Sequence, residues 1–357
     1  MKRRFAALTS VTMVLLFAVS IQAPASVGAL SARASSEPLY LALGDSYSSG
    51  EGLAPFLAGS GSCDRSPEAY PPLVAHDLGH LGLVFVACSG ATITQISAQV
   101  GAVSPGELRR AALTTVTAGG NDLGFSTLIS ACVGGVGSVS SPTVTFIPGV
   151  SSAASCTATI EAAASLLGSR VNPETGSLSR PKAALALPLT RPSTLEARLV
   201  ALYRQILHGE GAVRHRASGP RLIVVPYPTL LSPPGAGSCL LSSATIPIPV
   251  SVTTGPLYPA FGNVTSVALR QINGYLQSET SIAVASLRRE GYLDLLEAPL
   301  KTGFVPLDCA TGTSPSMNGL LFSDTTATTV AGSLHPTAEG QKQLAASVVA
   351  AWLDEAR

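Results

Sequence analysis

The stretch Leu39-Tyr40-Leu41-Ala42-Leu43-Gly44-Asp45-Ser46-Tyr47-Ser48-Ser49-Gly50-Glu51-Gly52 runs from an apolar segment into glycine, small hydroxyl side chains and two acids. An apolar run that ends on glycine reads as a buried strand delivering the chain into a tight turn. Ser46 then sits where a strand passes into a helix or loop, and the backbone amides of a helix start favour negative charge nearby. A serine nucleophile that develops an oxyanion needs that setting. Taken alone, Gly-Asp-Ser is also ordinary turn and N-cap chemistry.

Three further runs have the same form. Leu83 to Ala87 ends at Cys88-Ser89-Gly90, Leu113 to Ala118 ends at Gly119-Gly120-Asn121-Asp122, and Arg221 to Val225 ends at Pro226. Between and after them the spacing predicts helices over Pro67 to Leu78, Cys156 to Leu167, Thr194 to Arg216, Thr265 to Arg289 and Thr337 to Glu355. Strands alternating with helices imply an α/β fold with a parallel sheet covered on both faces. In such sheets working residues gather beyond the carboxyl ends of the strands, near the point where strand order reverses.

The composition is that of a folded protein. With 46% hydrophobic and 12% charged residues the chain is too apolar for intrinsic disorder, and 22 basic against 21 acidic side chains is too balanced for binding nucleic acid through its phosphates. Lys2, Arg3 and Arg4 precede an uncharged apolar run from Phe5 to Ile21, followed by small residues at Ala23-Pro24-Ala25 and Ala32-Arg33-Ala34. This reads as a secretory signal peptide; the competing reading, an uncleaved anchor, wants about 20 apolar residues and the run falls short. Cleavage after Ala25 leaves 19 basic against 21 acidic side chains, and cleavage after Ala34 removes Arg33 as well, so the exported protein is mildly acidic. Residues 1–34 are taken as signal and leader and residues 35–357 as one domain.

Export gives the cysteines a role. Cys63, Cys88, Cys132, Cys156, Cys239 and Cys309 all follow the leader, their number is even, and no close C-x-x-C pair suggests zinc. Three disulfides are expected; the six cysteines allow about 15 pairings, and near-neighbour pairing is the first to test. From Leu123 to Ile160 and from Leu222 to Leu269 there is no charged side chain, and glycine, proline and serine interrupt both stretches. They read as long, largely apolar loops pinned by the cysteines inside them.

The turns supply the remaining chemistry. Gly90 would expose a backbone N–H and Asn121 a side-chain amide at the same sheet edge, and with the Ser46 N–H these make three oxyanion donors. A base must be a histidine, from His76, His80, His208, His215 and His335. His208 and His215 lie in an arginine-containing helix and read as solvated. His76-Asp77-Leu78-Gly79-His80 fails as a zinc helix because Asp77 is shorter than the required glutamate and Gly79 ends the helix. His335-Pro336 precedes the last helix, and the proline disfavours helix at His335, so its imidazole can reach out from a rigid turn.

In order and spacing, Gly44-Asp45-Ser46, Gly90, Gly120-Asn121-Asp122 and His335-Pro336 resemble the four sequence blocks of the SGNH, or GDSL, hydrolase superfamily. The opening through Gly52, the six cysteines and the apolar loops make the chain more similar to its secreted actinobacterial esterases and lipases. The resemblance implies a three-layer α/β/α flavodoxin-like fold and supports near-neighbour pairing: Cys63 with Cys88, Cys132 with Cys156, Cys239 with Cys309. It implies Ser46 as nucleophile, the Ser46 amide, Gly90 and Asn121 as oxyanion donors, and His335 as general base. Many relatives carry an aspartate three residues before the histidine, where this chain has Gly332. Something must still hold the imidazole tautomer. The Gly332 carbonyl is expected to do so, with Asp324 in reserve.

The function expected is a secreted serine esterase or lipase with no metal or cofactor, acting as a monomer on small-molecule or lipid esters, with transient contact with lipid surfaces and no nucleic-acid partner. A phospholipase or carbohydrate O-acetylesterase could present the same residues. A non-catalytic wall- or lipid-binding protein would have no need of the histidine. A peptidase of the α/β-hydrolase kind is disfavoured because Ser46 lacks the G-x-S-x-G elbow.

Overall fold

Leu39–Gly44 (β1) is buried at all six positions and lies second from one edge of a five-stranded sheet. Gly82–Phe85 (β2) lies on one side of it; Ala111–Thr117 (β3), Arg221–Val224 (β4) and Leu295–Glu297 (β5) follow on the other. Every pairing is parallel, with Leu41 opposite Val84 and Leu43 opposite Val116. The order β2-β1-β3-β4-β5 is the flavodoxin-like one, and its switch point falls between β1 and β3. Here Ser46, which opens the short helix Ser46–Ser49 (α1), and Asn121 leave the sheet. The computed structural model describes residues 37–136, 145–146, 152–180, 194–211, 220–233, 238–245, 257–300, 303–321 and 332–354. The leader and Asp324 lie outside the described residues.

Because successive strand side chains point to opposite faces, β1 feeds two cores. Tyr40 and Ala42 join Leu113, Ile223 and Leu296 against Tyr70–Leu78 (α2) and the C-terminal helix, Ala338–Asp354. Leu43, with Val116, Leu222 and Val224, faces Ile93–Ala102 (α3), Thr194–Glu210 and Asn263–Arg289. Apolar residues in the latter two recur at helical spacing, as in Leu199, Leu202, Tyr203 and Ile206 and in Ala268, Ile272 and Leu276, which gives each one buried stripe. The result is the three-layer arrangement that the resemblance implies.

The four expected strands are present with ends shifted by at most two residues. β5 is the exception: three residues between Asp294 and Ala298-Pro299 are too few to register as an apolar run. The five expected helices are present within the described residues, while α3 and Phe125–Cys132 were not foreseen. The uncharged stretches need correction, because they are not simply loops. The first contains Phe125–Cys132 and begins Ala153–Leu166, and both stretches supply strands (Gly134–Val136, Thr145–Phe146, Cys239–Leu240 and Tyr258–Phe261) to a small antiparallel sheet. A segment without charges must satisfy its buried backbone groups internally, and helix and sheet pairing do so. Disulfides join Cys63 to Cys88, Cys132 to Cys156 and Cys239 to Cys309.

Candidate active site

The serine turn is held from three sides. Gly44 has φ +128, and a Cβ there would stand 2.8 Å from the Thr117 carbonyl oxygen, so only glycine lets β1 turn beside β3. The Gln99 side chain of α3 grips the same residue twice, accepting from the Gly44 N–H and donating to its carbonyl, each at 2.9 Å. Asp45 is the N-cap of the short helix Ser46–Ser49, its carboxylate accepting from the Tyr47 N–H at 3.1 Å. Ser46 is 7% exposed.

The histidine arrives from the far end of the chain. His335 Nε2 lies 2.8 Å from Ser46 Oγ. His335 Nδ1 lies 2.8 Å from the Ser333 carbonyl oxygen. A carbonyl can only accept, so Nδ1 carries the proton and the bare Nε2 faces the serine hydroxyl. The carbonyl on the ring is therefore that of Ser333 and not of Gly332, whose carbonyl instead accepts from the His335 backbone N–H at 3.2 Å. The reason is local geometry: Leu334 adopts φ +55, a left-handed conformation costly for leucine, and this swings the Ser333 carbonyl under the imidazole. Burial of the Leu334 side chain and the Tyr47 hydroxyl on its carbonyl hold that conformation. The Asn318 N–H donates to the His335 carbonyl at 2.9 Å, and Met317 pairs with Pro336, which fastens the loop from behind.

Gly90 and Asn121 line the same cavity as Ser46 and His335. Gly90 has φ +74 and open space where a Cβ would stand. Asn121 Nδ2 donates one proton to the Ala91 carbonyl at 3.1 Å, which leaves its second amide proton for a ligand. Asp122 fixes this turn by accepting from the Ile93 N–H at 2.9 Å and pairing with Arg198. The Gly120 N–H is spent on the Tyr227 hydroxyl oxygen at 2.9 Å, and Tyr227 in turn donates to Asp45. Burial pushes the Asp45 carboxyl up to about 7 against the lowering effect of these hydrogen bonds. Neither His76 nor His80 nor His208 lines the cavity; His215 lies outside the described residues.

The cavity has a volume of about 230 Å³. Its apolar wall comes from Leu123 and Phe125 of the first uncharged stretch, Leu230 of the second, and Ile272 and Leu276 of the long helix Asn263–Arg289. The lining thus joins a few polar groups to an apolar wall, the usual make-up of a ligand pocket.

Against known proteins, residues 42–343 match the model of the GDSL-like lipase/acylhydrolase family. The chain belongs to that family. Lipase 1 of Streptomyces coelicolor is 43% identical over 95 residues, which are 26% of this chain and 34% of that protein. The chain thus spans about a third of the length of this curated relative. Among solved structures, the phospholipase A1 of Streptomyces albidoflavus aligns with 88% of this chain and 99% of its own at a TM-score of 0.57 and 24% identity. The extracellular lipase of Streptomyces rimosus aligns over the same shares at a TM-score of 0.53 and 25% identity. Within the matched range, Ser46, Gly90, Asn121 and His335 all line one cavity.

Sequence reasoning missed several residues that shape the site. Tyr47, Ser333 and Tyr227 act through contacts distant in sequence or through backbone carbonyls, for which side-chain identity carries no signal. Glu51 is different. It is one of two acids in the opening stretch, flanked by Gly50 and Gly52, and its position at the cavity was not foreseen.

Proposed function

We propose that this protein is an exported serine ester hydrolase, an esterase or lipase, working through an acyl-enzyme on Ser46. The observation that carries the reading is the 2.8 Å contact between Ser46 Oγ and Nε2 of His335. His335 takes the hydroxyl proton as Oγ attacks the ester carbonyl. The oxyanion is met by the Ser46 and Gly90 N–H groups and the remaining Asn121 amide proton. The tetrahedral intermediate collapses, the alcohol leaves with the proton from Nε2, and water activated at the same nitrogen hydrolyses the acyl-enzyme and releases the acid. Ser333 holds the ring through a neutral carbonyl, which stabilises an imidazolium less than a carboxylate would.

The apolar wall of Leu123, Leu230, Ile272 and Leu276 supports an acyl chain longer than acetyl as the group held beyond the carbonyl. This favours lipid or fatty esters over acetylated carbohydrates as substrates. The basic-then-apolar start and three disulfides support export to an oxidising compartment.

Hydrolysis of 4-nitrophenyl esters from acetate to laurate, with Ser46→Ala alongside, tests the chemistry. Wild type should turn over and Ser46→Ala should not, with an unchanged melting temperature. A fluorophosphonate should label Ser46 alone. Turnover by Ser46→Ala, or labelling at another residue, rejects the mechanism.

A further inference from the structure

Glu51 stands at the junction of three loops that build the site. Its Oε1 accepts from the Gly332 N–H at 3.2 Å, in the loop that presents His335. Its Oε2 accepts from the Ser89 hydroxyl, next to Gly90. The same Oε2 lies 3.8 Å from His335 Nε2, the nitrogen that faces Ser46. The Glu51 side chain is 14% exposed and that of His335 12%. Among the described residues no lysine or arginine lies within ion-pair distance of Glu51, and the imidazole is the cationic partner it has.

The placement complements what the histidine lacks. Nδ1 rests on a neutral carbonyl, so no carboxylate reaches the ring from that side among the described residues. During acylation Nε2 gains a proton and the ring a positive charge. In a water-poor cleft a fixed negative charge a few ångströms away stabilises that charge far more than it would in water. Glu51 does not hydrogen-bond to Nε2, which leaves the nitrogen free to exchange its proton with Ser46 Oγ and the leaving alcohol.

We infer that Glu51 is a positioning residue for the hydrolysis proposed above, its carboxylate holding the Ser89 and Gly332 loops and countering the charge that His335 acquires when it takes the Ser46 proton. The inference rests on that reading of the site. A glutamine keeps an acceptor for Gly332 and a partner for Ser89 but removes the charge, so Glu51→Gln separates the electrostatic role from the structural one.

The test compares kcat and KM of wild type, Glu51→Gln and Glu51→Asp on one 4-nitrophenyl ester, with melting temperatures. An inactive wild type would sink the hydrolase reading itself; the inference is judged only against an active one. Since an interaction made only in the transition state lowers kcat and kcat/KM together, Glu51→Gln should lose about 10- to 100-fold in kcat with KM within about twofold. Glu51→Asp, which keeps the charge, should recover part of that loss. Wild-type kcat in Glu51→Gln, a loss confined to KM, or an aspartate variant no better than the glutamine one overturns the inference. The aspartate arm still decides the matter if the glutamine variant melts early, because a folded, charge-bearing variant without activity contradicts it.

Discussion

The Tyr47 hydroxyl donates to the Leu334 carbonyl at 2.7 Å, across 287 residues of sequence. The residue after Ser46 thereby holds the residue before His335, and the Tyr47 ring lies 5.1 Å from the imidazole between centroids. The proposed nucleophile and base are thus aligned by each other's neighbours.

Tyr47→Phe should therefore loosen the base without emptying the core. A net hydrogen bond of about 0.5–1.5 kcal/mol corresponds to roughly a 2- to 12-fold change. We expect kcat to fall by that order while KM holds. Steady-state kinetics of the variant at wild-type kcat would show that the left-handed Leu334 needs no such support.

The apolar residues that line the cavity make a prediction about chain length. Ile272→Phe places a ring in the space assigned to the acyl chain, and each displaced methylene is worth about 1–3 kcal/mol of discrimination. The kcat/KM ratio of laurate to acetate ester should fall at least about tenfold. A ratio that stays put would move the acyl chain elsewhere.

Asp45 gives the fold a pH signature. Its carboxyl is pushed up to about 7 by burial, against about 3.9 in an unfolded chain. The folded state thus holds the proton more tightly, and the Asp45 contribution is most favourable below about pH 4 and declines as pH climbs through 7. Denaturant titrations at several pH values should show Asp45→Asn gaining on wild type by up to roughly 4 kcal/mol between pH 4 and pH 8. Parallel stability curves would contradict it.

Glu210 carries the same sign away from the cavity. It is buried, its Oε1 accepts from Thr114, its Oε2 has no partner among the described residues, and burial pushes it up to about 8. Glu210→Gln should raise the melting temperature at pH 9, have little effect at pH 4, and leave ester hydrolysis unchanged.

Of the three disulfides, Cys63–Cys88 is the least buried and abuts the Ser89-Gly90 turn, whose Ser89 N–H donates to the Cys63 carbonyl at 3.1 Å. Replacing both cysteines by serine should cost about 2–5 kcal/mol of stability and lower kcat. A destabilised variant with unaltered kcat would show that this bridge supports the fold but not the donors.

The architecture was legible because β1 to β4 are contiguous apolar runs closed by turn residues, and the long helices repeat apolar residues at helical spacing. β5 escaped because three residues carry no period. Ser46, Gly90 and Asn121 were legible in turns that follow strands and His335 in the turn before the last helix, whereas the carbonyl beneath the imidazole was placed one residue early. Only a backbone dihedral at Leu334 decides between Gly332 and Ser333, and no side chain reports a dihedral. The uncharged stretches were misread for a related reason: absence of charge describes burial, and burial is shared by loops, helices and strands.

Gly52 and Gly332 meet backbone to backbone, each so close that a Cβ on one would sit 2.7 Å from the Cα of the other. A methyl group at either site would wedge apart the two segments that carry Ser46 and His335. Directed-evolution libraries that randomise this neighbourhood should accordingly lose most clones at these two codons, whatever ester is offered for selection.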